Sequence, residues 1–134
     1  MKKTITIILV VISLLMLLFV SGCGANAFKA NKTTDSYNIE LTADHNPLTT
    51  GENQLQIAIS DKNGNAVTDA QVKINYSMAA MPGMPAMSHN TKATLNNKLY
   101  EADIDLMSAG SWTISVQITR DGKMQKADFA VDAH

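Results

Sequence analysis

The sequence predicts an all-β fold: two antiparallel sheets packed face to face, with about seven strands in total. Three observations lead there. Apolar and polar residues alternate with a period of two in run after run from Tyr37 onward. Pairs that tolerate positive φ, Asn63-Gly64, Asn96-Asn97 and Asp121-Gly122, fall between the runs. No stretch after the N-terminal segment carries the 3.6-residue period of an amphipathic helix. One apolar face per strand is the mark of antiparallel sheets with a wet side, and the turn spacing suits an immunoglobulin-like sandwich. An open seven-stranded barrel has the same alternation and stays open as an alternative.

The chain begins with a processing signal. Lys2 and Lys3 are followed by an apolar run from Ile5 to Val20, interrupted only by Ser13, and then by Ser21-Gly22-Cys23. A basic start, a hydrophobic stretch and small residues before a cut site make a secretory signal. The run is short for a spanning helix, which needs about 20 apolar residues. A cysteine directly after Ser-Gly fits the bacterial lipobox, and Cys23 is the only cysteine in the chain. Residues 1–22 are therefore expected to be a lipoprotein signal peptide, with a covalent lipid on Cys23. Two or three fatty acyl chains, such as palmitate, hold a protein at a membrane stably where one does not. Gly24 follows the cysteine, so the aspartate that retains a lipoprotein at the inner membrane of a two-membrane cell is absent. The expected location is extracytoplasmic, lipid-anchored to the cell membrane, in the periplasm or at the outer membrane where the cell has two membranes.

Residues 23–36 follow neither period and read as a lipidated, flexible tether. Residues 37–134 form the domain. Tyr37, Ile39 and Leu41 oppose Asn38, Glu40 and Thr42 in the first strand, and Leu55, Ile57 and Ile59 make the next apolar face. Val72, Ile74, Tyr76 and Met78 make the third, and Thr91–Leu95 is a short fourth that pairs across Asn96-Asn97. Tyr100, Ala102, Ile104 and Leu106 come next, then Trp112, Ile114, Val116 and Ile118, and last Ala127, Phe129 and Val131. Trp112 is assigned to the core, as buried aromatics usually are. After loss of residues 1–22 the domain is mildly acidic with no basic cluster, which excludes nucleic acid as a partner class. A lone cysteine allows no internal disulfide and no cysteine-based zinc site.

The alternation stops at Met78. Met78, Met81, Met84 and Met87 recur every third residue through Pro82, Gly83 and Pro85. Proline cannot continue a central strand, so Ala79–Asn90 is expected to be a loop or extended excursion. Met81-Pro82-Gly83-Met84 has proline and glycine where a type II turn wants them, which would bring Met81 and Met84 within about 7 Å. Thioether sulfur is a soft, neutral ligand suited to Cu(I), and imidazole also suits copper. Met81, Met84, Met87 and His89 are the candidate ligands of a Cu(I) or Ag(I) site. Met78 continues the inward face of Tyr76 and is assigned to the core. The other roles open to the loop are gap-filling at the end of the sandwich and a soft contact for another protein.

Other polar residues offer less. His45 and His134 stand alone. Glu101, Asp103 and Asp105 share one strand face and read as solvated. The Asp61–Asn65 stretch lacks the glutamate and glycine positions of a calcium loop and reads as a hairpin turn. No acid, base and nucleophile assemble in the pattern, so no enzymatic activity is expected.

Several stretches together resemble the FixH/YtkA-like family of bacterial extracytoplasmic domains: Asp61–Gly64 with Val67–Val72, then Met81–Met84, Tyr100–Leu106, and Gly110-Ser111-Trp112. The resemblance covers about residues 38 to 131. It implies an immunoglobulin-like domain, and links to copper handling or respiratory-oxidase assembly for some members. Lys98 stands where members often have glycine, and the methionines are spaced by three rather than two. The expected function is a membrane-anchored lipoprotein that binds or relays Cu(I) through its methionine-rich loop, with a copper transporter or oxidase assembly proteins as partners. The alternative is a non-metal interaction module that supports a membrane complex or transporter.

Overall fold

The computed structural model describes residues 27–134. The expected signal peptide, Cys23 and the first part of the tether lie outside the described residues. Nine strands build the domain: β1 (Phe28–Thr33), β2 (Tyr37–Ala43), β3 (Gly51–Asp61), β4 (Gln71–Met78), β5 (Met87–Lys92), β6 (Thr94–Asn96), β7 (Leu99–Leu106), β8 (Gly110–Arg120) and β9 (Lys123–Ala133). They form two sheets, ordered β1-β2-β3-β7-β6 and β5-β4-β8-β9, with every neighbouring pair antiparallel. The sheets face each other, β1 over β9 and β5 over β7. This is the sandwich that the alternation predicts, and it is not an open barrel.

The core follows the two-residue period. Ile39, Leu41, Leu55, Ile57, Ile59, Ile74, Tyr100, Ile104, Ile114, Val116, Ile118 and Phe129 are all buried between the sheets. Each such side chain contributes roughly 1.5–3 kcal/mol by leaving water. Trp112 is also buried, and its Nε1–H donates to the Ser108 carbonyl at 3.0 Å, which satisfies its one polar atom. Asp121 and Gly122 both take positive φ, 51° and 71°, and close the β8–β9 hairpin as expected. Asp61 caps its own turn by accepting from the Asn63 and Asn65 amides, both at 2.9 Å.

Three expectations need correction. The segment expected to be flexible tether contains β1, a full edge strand paired with β2 from Phe28↔Ala43 to Thr33↔Asn38. Phe28 and Ala30 pack against the core, and the open edge of β2 supplies the remaining driving force through its unpaired backbone groups. The short strand expected at Thr91–Leu95 is instead a corner. β5 belongs to one sheet and β6 to the other, with Ala93 between them donating its amide to the Val72 carbonyl at 3.0 Å. Strands that change sheets in this way close the side of a sandwich. Finally, His89 and Asn90 lie within β5, not in a loop, because Met87–Lys92 zips onto β4 from Met78↔Met87 to Lys73↔Lys92.

The register fixes which loops share an end. Phe28, Ala43, Gly51, Leu106, Gly110, Ala133, Met78 and Met87 all lie at one end of their strands. The methionine-bearing loop therefore shares its end of the sandwich with the β2–β3 loop, the β7–β8 loop and the start of β1. Buried Asn53 pins this end: its amide donates to the Thr49 carbonyl at 2.7 Å and the Gly51 carbonyl at 2.9 Å.

Candidate metal centre

The β4–β5 connection is a tapered hairpin. Its base is the strand pair Met78↔Met87. Its tip is a second pair, Met81 with Met84, each donating its amide to the other's carbonyl at 2.9 Å. Pro82 and Gly83 fill the two central positions, and Gly83 takes φ of +85°, which a type II turn requires there. A hydrogen-bonded antiparallel pair of this kind sets its Cα atoms about 5.5 Å apart with both side chains on one face. The four methionines are thus two facing pairs, stacked along one hairpin.

A two-residue period would send Met78 and Met81 to opposite faces. The strand breaks at Ala79 and Ala80, and the chain turns enough to undo this. The terminal methyl groups of Met78 and Met81 both lie over Gly110, 3.0 and 3.7 Å from where a Cβ would stand. Gly110 holds φ of +130° and offers no side chain, so it makes room for both. Met78 is buried, Met84 and Met87 are half-buried against the core, and Met81 is 42% exposed. The sulfur of Met78 already accepts a hydrogen bond from the Ser108 hydroxyl at 3.5 Å. That engagement, and its burial, make it the least available of the four sulfurs.

His89 is two residues along β5 from Met87, on the same inward face, opposite Tyr76. Its ring stacks on the Tyr76 ring with centroids 5.4 Å apart and planes inclined by 27°. Tyr76 in turn leans on Trp112 at 6.2 Å. The aromatic stack fixes the imidazole plane. Two residues of strand separate Met87 and His89 by about 7 Å along the axis, so His89 neighbours the base of the hairpin rather than its tip.

The donors here are soft and uncharged. The β4–β5 and β7–β8 loops contain no charged side chain, and the second contributes Met107, 62% exposed, to the same end. Sequence reasoning missed Met107, because a single methionine outside the repeat carries no signal. It also missed the seat that Gly110 and Ser108 provide, for which the Gly-x-Trp stretch was the only trace. His45 lies at this end in the β2–β3 loop, exposed and 3.1 Å from Asp44. Among the described residues, no three His, Cys, Asp or Glu side chains converge as a metal cluster. Any metal at this end would rely on the thioethers.

A family model described as YtkA-like matches residues 31–117. Two solved structures of FetP from uropathogenic E. coli strain F11 are similar in fold, one as isolated and one of a copper-bound variant. Each has a TM-score of 0.56 at 10% identity over 80% of this chain, covering 95% and 97% of FetP. The PmoD soluble domain from Methylocystis sp. aligns with a TM-score of 0.52 at 11% identity, over 78% of this chain and 96% of PmoD. No curated protein sequence matches the chain. At these identities the structural likeness establishes the shared sandwich.

Proposed function

The chain belongs to the YtkA-like family, and from that premise we propose that it is an extracytoplasmic, lipid-anchored carrier that holds Cu(I) in the β4–β5 hairpin. The observation that carries the reading is the paired Met81–Met84 turn, which starts two thioether side chains on one face of the hairpin tip. Met87 stands at the base of the same hairpin, and His89 is the nearest imidazole. Neutral sulfur donors suit a monovalent soft ion and need no deprotonation to bind it. Copper is cargo here, not a cofactor: a site of two or three thioethers near the surface can release its ion to a partner, and no catalytic step is proposed. The copper-bound structure of a FetP variant, a protein of the same fold, supports the reading. The anchor is the lipid on Cys23, and the partners are a copper transporter or the assembly proteins of a respiratory oxidase.

The test is a competition titration of residues 24–134 against a Cu(I) chelator. Changing Met81, Met84 and Met87 together to leucine is expected to abolish tight binding while costing less than about 1.5 kcal/mol of stability, since the swap conserves volume. Unchanged affinity would put the site elsewhere. One observation favours a second reading, a docking module without metal: Met81 and Met107 are exposed large apolar side chains at one end. Under that reading the leucine triple keeps full partner binding, and the wild type holds Cu(I) no better than free methionine does.

A further inference from the structure

We infer that the methionine end of the sandwich faces the membrane and rests on the lipid surface. The inference depends on the lipid anchor proposed above. β1 begins at Phe28, opposite Ala43, at the same end as the Met81–Met84 turn. Only residues 24–27 separate Cys23 from that strand. Whatever its conformation, such a link spans at most about 18 Å. The eleven-residue strand β9 runs about 36 Å to the far end. The link is too short for the far end to meet the bilayer with the domain upright on its other tip.

The loops of the two ends differ in charge. The far-end loops carry Asp35, Lys62, Asp69, Lys98 and Asp121. At the near end the β4–β5 and β7–β8 loops are uncharged, Met107 is exposed, and Met81, whose methyl folds over Gly110, is partly so; at the far end Leu95 and Met124 are exposed among these charges. Apolar side chains without nearby charge enter the headgroup boundary at little cost. Asp44, exposed in the β2–β3 loop, lies 3.1 Å from His45 Nδ1. Glu52, Asp103 and Asp105 line the outer face of the five-stranded sheet near this end and oppose an anionic surface, so the short link and the uncharged loops, not charge attraction, bring the tip to the bilayer. Cargo is then exchanged at the plane of the membrane, where an integral membrane donor or acceptor opens.

The experiment uses the full lipidated chain in vesicles of phosphatidylcholine and phosphatidylglycerol that carry a nitroxide on their headgroups. A fluorophore is attached through Ala80→Cys at the near end or Lys123→Cys at the far end, both exposed positions. Intact mass reports the lipid on Cys23, so a protein without lipid overturns the anchor and this inference with it. With lipid present, the label at position 80 is expected to be quenched several-fold more than the label at 123. Equal or reversed quenching overturns the inference. A Gly-Ser insertion of about 20 residues after Gly24 gives a tether with a root-mean-square span near 25 Å. Quenching at position 80 is expected to survive it. Its loss would mean that tether length alone orients the domain and that the tip has no contact with lipid.

Discussion

Met81 and Met84 are locked to each other by two reciprocal backbone hydrogen bonds of 2.9 Å across Pro82-Gly83. The spacing of their side chains is therefore set by backbone, not by the flexible thioethers themselves. Long unbranched side chains lose rotamer entropy when they converge on one ion. A fixed turn lowers that cost by starting them on the same face.

Gly83 is the residue that makes the turn. It needs φ of +85°, and nothing lies within 4 Å of where its Cβ would stand. Gly83→Ala thus meets no clash and costs only the left-handed backbone term, about 1–2 kcal/mol. The expected result is a weaker Cu(I) affinity, roughly tenfold, with a melting temperature lowered by about 3–10 °C and a native fold. Chelator competition and thermal melting on the same sample check both halves.

Gly110 behaves differently. A Cβ there would meet the Met78 methyl at 3.0 Å, and φ of +130° is disfavoured for any side chain. Strain and overpacking together are expected to cost about 2–4 kcal/mol in Gly110→Ala. Chemical denaturation should show the midpoint fall with an unchanged m-value. A stability equal to wild type would mean the two methionine methyls do not occupy that seat.

Acid should weaken the domain in part through Asp128. The hydroxyl of buried Ser115 donates to its carboxylate and, with Lys126, holds its pKa below the ordinary aspartate value despite partial desolvation. A depressed carboxylate stabilises the fold above the unfolded-state pKa, near 4, and that stability is lost as pH falls through the folded value. Melting temperature measured from pH 6 down to pH 2 should therefore fall. In Ser115→Ala it should start lower at pH 6 and fall less steeply. Asp61, held low chiefly by its hydrogen bonds to Asn65, adds in the same direction.

The core and the type II turn were legible because both depend on local rules. A two-residue period decides which of Ile57 or Gln56 turns inward, and proline with glycine decides the turn. β1 was not legible, since Phe28 and Ala30 make too short a pattern and the strand exists because β2 offers an edge. The β5–β6 corner at Ala93 depends on the gap between sheets, and β5 is mostly polar. The approach of Met78 and Met81 over Gly110 arises from packing between residues far apart in sequence, which no local pattern encodes.

Copper K-edge X-ray absorption on the Cu(I)-loaded domain tests the central claim most directly. The account predicts an inner shell of two or three sulfur scatterers, with at most one imidazole nitrogen, and loss of the sulfur shell when Met81, Met84 and Met87 are leucine. A shell of nitrogen and oxygen only would contradict it.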